Sequence, residues 1–280
     1  MDVIIDLDHA SLMSNGRKDP RPPRLAPIEP PVPDTAWGRA KHYVTHRVDP
    51  MTSVFLVIPL YLIYQVGVLL QMRCDQNGCV WVRNGVDFIT GNVLEATHGS
   101  RVAVAGLALT VGLALTIGVL WARRRAKLHP RLFVPVLAES AVYALLVGPT
   151  LVAAQHAIGL GAPGSSNFLS DIVSSCGAGL HEELIFRVVL FSGSAFVLQK
   201  IGMKAWQAVV VAALGSSLIF SAVHHLGSLG EPFTVSAFVF RTFAGLAFAT
   251  IYRTRGFAIA AWTHALYDIS VFATERFYGH

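Results

Sequence analysis

The sequence predicts an all-α polytopic membrane bundle of about seven transmembrane helices, with its chemistry concentrated in the last four. Three observations carry that prediction. The 280 residues are 53% hydrophobic and only 14% charged, against about 25% charged in a soluble domain, and mean hydropathy is positive, +0.53. Apolar stretches near the roughly 20 residues needed to cross a bilayer recur along the chain. The Lys and Arg residues gather in alternate connections rather than evenly. This composition excludes an ordinary soluble enzyme, a disordered chain and a nucleic-acid binder working through dense surface charge.

Residues 1–50 form a zone of their own and are expected to be an extended, disordered cytoplasmic tail. Eight of the fourteen prolines fall there, among them Pro20, Pro22, Pro23, Pro27, Pro30, Pro31 and Pro33, and such density opposes helix and sheet. The opening MDVIIDLDHA is acidic and lacks the pattern of a cleavable signal peptide. Residues 51–280 are expected to form the membrane domain. Its apolar stretches run at about 51–72, 101–121, 132–154, 171–198, 205–226, 233–252 and 256–275. Pro59, Pro135 and Pro149 are tolerable inside them because neighbouring helices re-satisfy the backbone. The loop 73–100 has room for a short interfacial helix around Val86–Ala96.

Orientation follows from the short loops. The tail, 123–131 (Arg123, Arg124, Arg125, Lys127, Arg131), Lys200 with Lys204, and Arg253 with Arg255 are basic, whereas 155–170 and 227–232 carry no Lys or Arg. Seven spans then put the N-terminus in the cytoplasm and the C-terminus outside, in an integral membrane protein of the bacterial inner-membrane type. Cys74 and Cys79 fall outside and, in an oxidising compartment, could pair; Cys176 lies in an apolar stretch.

Ionisable side chains inside a bilayer are costly, and each needs a reason. Apart from Glu139, they cluster in the last four spans. The fourth reads HEELIFR (His181, Glu182, Glu183, Arg187), the fifth FSAVHH (Phe220, His224, His225), the sixth holds Phe240, Arg241 and Gly245, and the seventh reads HALYD (His264, Asp268). Glu183 and Arg187, four apart, share a helix face and can pair. Glu182 is rotated about 100° from Glu183 in a regular helix and points elsewhere. His264 and Asp268 also share a face. The cheapest fold gathers Glu182, His224, His264 and Asp268 in one polar pocket. Asp171, Ser175, Ala178 and Glu182 form a narrow small-or-polar stripe, read either as a water path to the carboxylate or as helix packing through small residues.

A carboxylate and two imidazoles in a dry pocket suit activation of water for hydrolysis of a carbonyl compound, a peptide bond above all. Glu182 serves as general base, His224 orients the water, and a His264–Asp268 dyad stabilises an oxyanion. The same four residues could instead hold a divalent metal such as zinc. The zincin pattern H-E-x-x-H fails, because Ile185 stands where the second His is needed. No G-x-S-x-G elbow is present. Two other classes compete: a proton-coupled transporter using the buried charges as relays, for which no internal repeat is seen, and a non-catalytic scaffold or immunity protein on the same bundle. The partners expected are the lipid bilayer and a membrane-anchored protein or peptide substrate, with no nucleic acid.

At these residues the sequence resembles the CPBP family (CAAX proteases and bacteriocin-processing enzymes, also called Abi). The family pattern E-E-x-x-x-R, then F-x-x-x-H, then H-x-x-x-N/D is matched by Glu182-Glu183-Leu184-Ile185-Phe186-Arg187, by Phe220-Ser221-Ala222-Val223-His224 and by His264-Ala265-Leu266-Tyr267-Asp268. The resemblance covers about 170–275. It implies an intramembrane endopeptidase in which Glu182 and His224 activate water, His264 and Asp268 complete the site, and Glu183 and Arg187 are structural supports, with Arg241 and His225 nearby. Members are described both as metal-dependent and as glutamate proteases. Asp268 stands where the eukaryotic CAAX enzymes have Asn. Counting about 30 Å from Lys204 to His224 at 1.5 Å per residue puts the site near the outer surface, and the expected reaction is trimming near the end of an anchored protein or peptide precursor.

Overall fold

The computed structural model describes residues 35–75, 78–80, 87–123, 128–157, 167–226 and 230–278. Contacts divide the chain between His42 and Tyr43. In the first unit the described residues open helix α1 (Ala36–Thr45), with Thr35 Oγ1 accepting from Gly38 N at 3.0 Å. This helix occupies part of the zone expected to be extended. The prolines stop at Pro33, and AWGRAKHYVT contains none. Residues 1–34, where the rest of the expected tail falls, lie outside the described residues.

The second unit begins with α2 (Pro50–Leu56) and α3 (Ile58–Gln71). Asp49 caps α2 by accepting from Thr52 N at 2.8 Å, and Pro50 at the first helical position gives up no hydrogen bond. A hairpin of β1 (Arg73–Asp75) and β2 (Gly78–Val80) follows, with Cys74 opposite Cys79 in register. The side chains of those two cysteines, and with them the expected pairing, lie outside the described residues. Next come α4 (Phe88–Ala96), which realises the short helix anticipated in this loop, α5 (Arg101–Arg123) and α6 (Phe133–Ala157). The second half comprises α7 (Phe168–Glu182), a π-helical segment (Glu183–Phe191), α8 (Ser192–Lys200), α9 (Ala205–Val223), α10 (Val235–Arg255) and α11 (Phe257–Tyr278).

Helices stand at all seven expected stretches, and the protein is an all-α polytopic bundle. Among the described residues, five helical stretches are long and apolar enough to cross a membrane by length and composition: Pro50–Gln71, Arg101–Gly118, Pro130–Pro149, Ala205–Val223 and Val235–Arg255. The two expected spans outside that set are the α7–π–α8 rod and α11. They carry Glu182, Glu183 and Arg187, and His264, Asp268, Glu275 and Arg276. The groups that depress their hydropathy are largely the candidate site itself.

Helix α11 sits at the centre. Ala258, Ile259, Ala260 and Ala261 are fully buried, and their small size lets α6 and α7 approach closely. Gly179 of α7 lies where a Cβ would come within 2.8 Å of Ala265 Cβ. Ser140 Oγ of α6 donates to Ile259 O at 3.3 Å, and Trp262 Nε1 donates to Leu56 O at 2.9 Å. Outside, Leu109, Leu113, Leu145, Leu146, Phe196 and Trp206 are exposed, the inverted surface of a protein solvated by lipid.

The α10–α11 turn is pinned to the start of the second unit. Arg255 forks onto Glu139 (2.6 and 3.0 Å) and donates to Tyr43 O, Val44 O and His46 O. Val48 N in turn donates to Arg255 O at 3.1 Å. Gly256 adopts φ +103°, and a Cβ there would lie 2.9 Å from Val48 O, so both its backbone angle and its surroundings exclude a side chain.

Candidate active site

The rod Phe168–Lys200 changes pitch between Glu182 and Glu183, where α-helix gives way to the π-helical turn. Such turns are rare and often mark functional sites. Here it alters the geometry expected of an uninterrupted α-helix. Glu182 does not point away from its neighbour's partners. Both carboxylates reach His264 of α11: Glu183 Oε1 accepts from Nδ1 at 2.9 Å, and Glu182 Oε2 lies 3.9 Å from Nε2. The imidazole therefore bridges two adjacent residues through its two ring nitrogens.

Glu183 and Arg187 form the expected pair. Nε stands 3.2 Å from Oε2, both side chains are fully buried, and the guanidinium lies over the Phe220 ring at 5.0 Å. An ion pair this deep requires both members, because either alone is an uncompensated charge.

His224 is the cap residue just past the C-terminal end of α9. Its Nδ1 lies 2.7 Å from Phe220 O. A carbonyl oxygen only accepts, so Nδ1 carries the hydrogen and Nε2 faces Glu182 Oε2 at 3.8 Å. Asp268 Oδ2, one turn along α11, lies 3.7 Å from His264 Nε2. Glu182, His224, His264 and Asp268 thus converge from three helical elements, as the spacing predicted. Aromatic rings hold the imidazoles: Phe248 stacks on His264 (4.4 Å, 14°), and Phe220 meets His224 edge-on at 4.8 Å.

The flanking residues divide. Arg241 donates to Glu231 Oε1 at 2.6 Å, tying α10 to the preceding connection. His225 turns away from the cluster; its Nδ1 lies 3.2 Å from Glu231 O and its ring packs against Phe233 at 5.1 Å. Phe248 and Glu231 were not foreseen: an aromatic residue in an apolar helix and a lone loop carboxylate carry no spacing signal. The stripe ending at Glu182 is enclosed by its neighbours. Asp171, Ser175 and Ala178 are all buried, and Ser175 Oγ turns back to Asp171 O at 2.7 Å.

Depth depends on the helix along which it is measured. His224 is about 30 Å from Lys204 along α9, but His264 is only about 12 Å from Gly256 along α11. Phe191 and Ser192 contact Tyr252, three residues before Arg255, so the α8–α9 turn projects beyond the α10–α11 turn. The site is therefore much nearer the basic α10–α11 turn than the α9 count alone implied.

Among the described residues, no three His, Cys, Asp or Glu side chains converge as a metal-ligand set. Separations of 3.7–3.9 Å between imidazole nitrogens and carboxylate oxygens exceed a direct hydrogen bond and suit one bridging oxygen.

Residues 164–270 match the family described as type II CAAX prenyl endopeptidase Rce1-like. That stretch contains the α7–π–α8 rod, α9, α10 and all four converging residues. No curated protein and no solved structure matches the chain.

Proposed function

We propose, from the match of residues 164–270 to the type II CAAX prenyl endopeptidase Rce1-like family, that the chain cleaves a peptide bond near the end of a membrane-anchored protein or peptide precursor, with Glu182 and His224 activating water. The observation that carries the reading is the arrangement of Nε2 atoms. Both imidazoles commit Nδ1–H to fixed acceptors, Phe220 O and Glu183 Oε1, leaving both Nε2 atoms within 3.9 Å of Glu182 Oε2.

In the proposed reaction a water lies between Glu182 Oε2 and His224 Nε2. Glu182 takes its proton as the oxygen attacks the scissile carbonyl carbon. His264, protonated and held through Nδ1 by Glu183, donates from Nε2 to the developing oxyanion, and Asp268 steadies that cation. When the C–N bond breaks, the proton on Glu182 passes to the leaving amine, giving a carboxylic acid and an amine. Glu183 and Arg187 position His264 and do not touch substrate.

We further read the protein as lying in a bacterial inner membrane, N-terminus in the cytoplasm and C-terminus outside, from its Lys and Arg distribution. A periplasmic reporter fused after His280 tests the orientation; signal only from the cytoplasm overturns it. The reaction is tested by mass spectrometry of membrane proteins from cells carrying wild type or Glu182→Ala. A terminal fragment lost in the variant names substrate and bond together. Identical fragment patterns with Glu182→Ala refute the endopeptidase reading.

A further inference from the structure

Behind the catalytic helix lies a second site. A cavity of about 320 Å³ is walled by Val57 and Ile58 of the α2–α3 helix, Leu107 and Val111 of α5, and Leu184 and Ile185 of the π-helical segment. That volume falls within the roughly 300–1,000 Å³ typical of small-molecule sites. Leu180, His181, Leu184 and Ile185 line it, whereas Glu182, Glu183, Phe186 and Arg187 face the cluster already described. One helix thickness separates the two spaces. The cavity extends from Val54 to Gln65 along α2–α3, about 16 Å at the helical rise. It is elongated, apolar over most of its length and polar at one end.

The polar end is formed by Gln65, Asp87, Thr90 and His181. Their hydrogen bonds can be counted. Asp87 Oδ1 accepts from Thr90 N at 3.0 Å, capping α4. Gln65 Nε2 donates to Thr90 Oγ1 at 3.3 Å. His181 Nδ1 donates to Gly177 O at 2.9 Å. Among the described residues Asp87 Oδ2 and Gln65 Oε1 have no hydrogen-bond partner, but both are closed off from the cavity as they are from water. His181 Nε2 stands 3.9 Å from Asp87 Oδ1, beyond a direct bond. Both of these atoms accept hydrogen bonds, so a head group placed between them must donate.

We propose that this cavity binds a single-chain amphiphile whose head group donates hydrogen bonds, a long-chain primary amine or alcohol. The chain lies along α2–α3, and the head sits between Asp87 and His181. The cavity is too small for a two-chain phospholipid, and Asp87 repels a carboxylate head. The site is separate from the scissile chemistry, so its test reads binding and not proteolysis.

The full chain in phosphatidylcholine nanodiscs is titrated with dodecylamine, dodecanol and dodecanoate, with native mass spectrometry counting bound copies above the partition into empty nanodiscs. Dodecylamine and dodecanol are expected to fill one saturable site per chain, at least tenfold tighter than dodecanoate. Asp87→Asn keeps the α4 cap, since Asn caps as well as Asp, but removes the accepting carboxylate; it should weaken dodecylamine about tenfold or more. Val111→Trp should abolish all binding, and Leu107→Phe replaces it if that variant fails to fold. Equal binding of the three heads, or dodecylamine binding unmoved by both Asp87→Asn and the cavity-filling variant, overturns the proposal.

Discussion

Replacing Glu183 with glutamine separates two roles that one carboxylate fills. Glu183 accepts from His264 Nδ1 at 2.9 Å and pairs with Arg187 at 3.2 Å, with both members of the pair fully buried. In Glu183→Gln the guanidinium keeps its charge and loses its counter-ion. Breaking a buried pair from one side costs about 3–5 kcal/mol, a large share of the roughly 5–15 kcal/mol that holds a protein folded. The second loss is at the imidazole. The amide oxygen can still accept from Nδ1, so the ring keeps its place, but the bond is no longer charge-assisted. Hydrogen bonds to charged groups contribute about 1.5–3 kcal/mol, against about 1 for neutral ones. The difference, about 0.5–2 kcal/mol, corresponds to about a 2- to 30-fold fall in kcat/KM if His264 must be cationic in the transition state. The double variant Glu183→Gln/Arg187→Met separates the two effects, because it removes both charges and retains bulk. Thermal unfolding in detergent should show the single variant strongly destabilised and the double variant largely restored. Cleavage of the substrate identified by mass spectrometry should stay depressed in both. Full recovery of kcat/KM in the double variant would falsify the positioning role and reduce Glu183 to a neutraliser of Arg187.

Four further outcomes follow from the same contacts. Glu182→Gln and His224→Ala should each lower cleavage by about 10²–10⁴-fold, the usual worth of a positioned acid–base group, with unchanged melting temperature; a folded, active Glu182→Gln protein points to the scaffold class instead. Phe248→Leu removes the ring stacked on His264 at 4.4 Å and should lower kcat several-fold with little change in KM, and an equal rise in KM would argue that Phe248 touches substrate. Gly179→Val pushes α7 off Ala261 and Ala265 of α11, so a loss of about 1–3 kcal/mol from overpacking should accompany lost activity, since these two helices carry Glu182 and His264. Arg255→Met strands Glu139 and releases three backbone carbonyls; a drop in melting temperature with kcat preserved in the surviving fold is the expected signature, measured by scanning the melt and the activity of one preparation.

The sequence was most readable where polar residues interrupt an apolar background. Glu182, His224, His264 and Asp268 stood out because a bilayer makes each of them expensive, and the structure brings all four together. It was least readable where the informative feature is a departure from regular pitch. The π-helical turn over Glu183–Phe191 leaves no mark in hydrophobic periodicity, so the ideal 100° rotation between Glu182 and Glu183 gave no sign that Glu183 shares His264 with Glu182. Arg255 was hidden for another reason. At a loop it reads as a topology charge, yet it folds inward to Glu139, whose own lone position in an early span had no visible explanation. The stripe of Asp171, Ser175 and Ala178 fits a water path and a packing face equally well, because small residues serve both; its residues are buried and the Ser175 hydroxyl turns toward Asp171 O.

The widened turn also sets how this chain can change in length. A helix that hydrogen-bonds to the fifth residue instead of the fourth holds one residue more than a regular helix would over the same turn. Deleting one residue among 188–190 lets the rod relax to ordinary pitch and swings everything beyond it by about 100° relative to Glu182. Phe191 and Ser192 would then leave Tyr252, and the α8–α9 turn would project along a different direction. The same deletion near the exposed end of the regular helix α5, at Ile117, only shifts a lipid-facing surface. Tolerance to shortening should therefore be sharply uneven along this chain, lowest in a stretch whose residues look, letter by letter, like any other apolar helix.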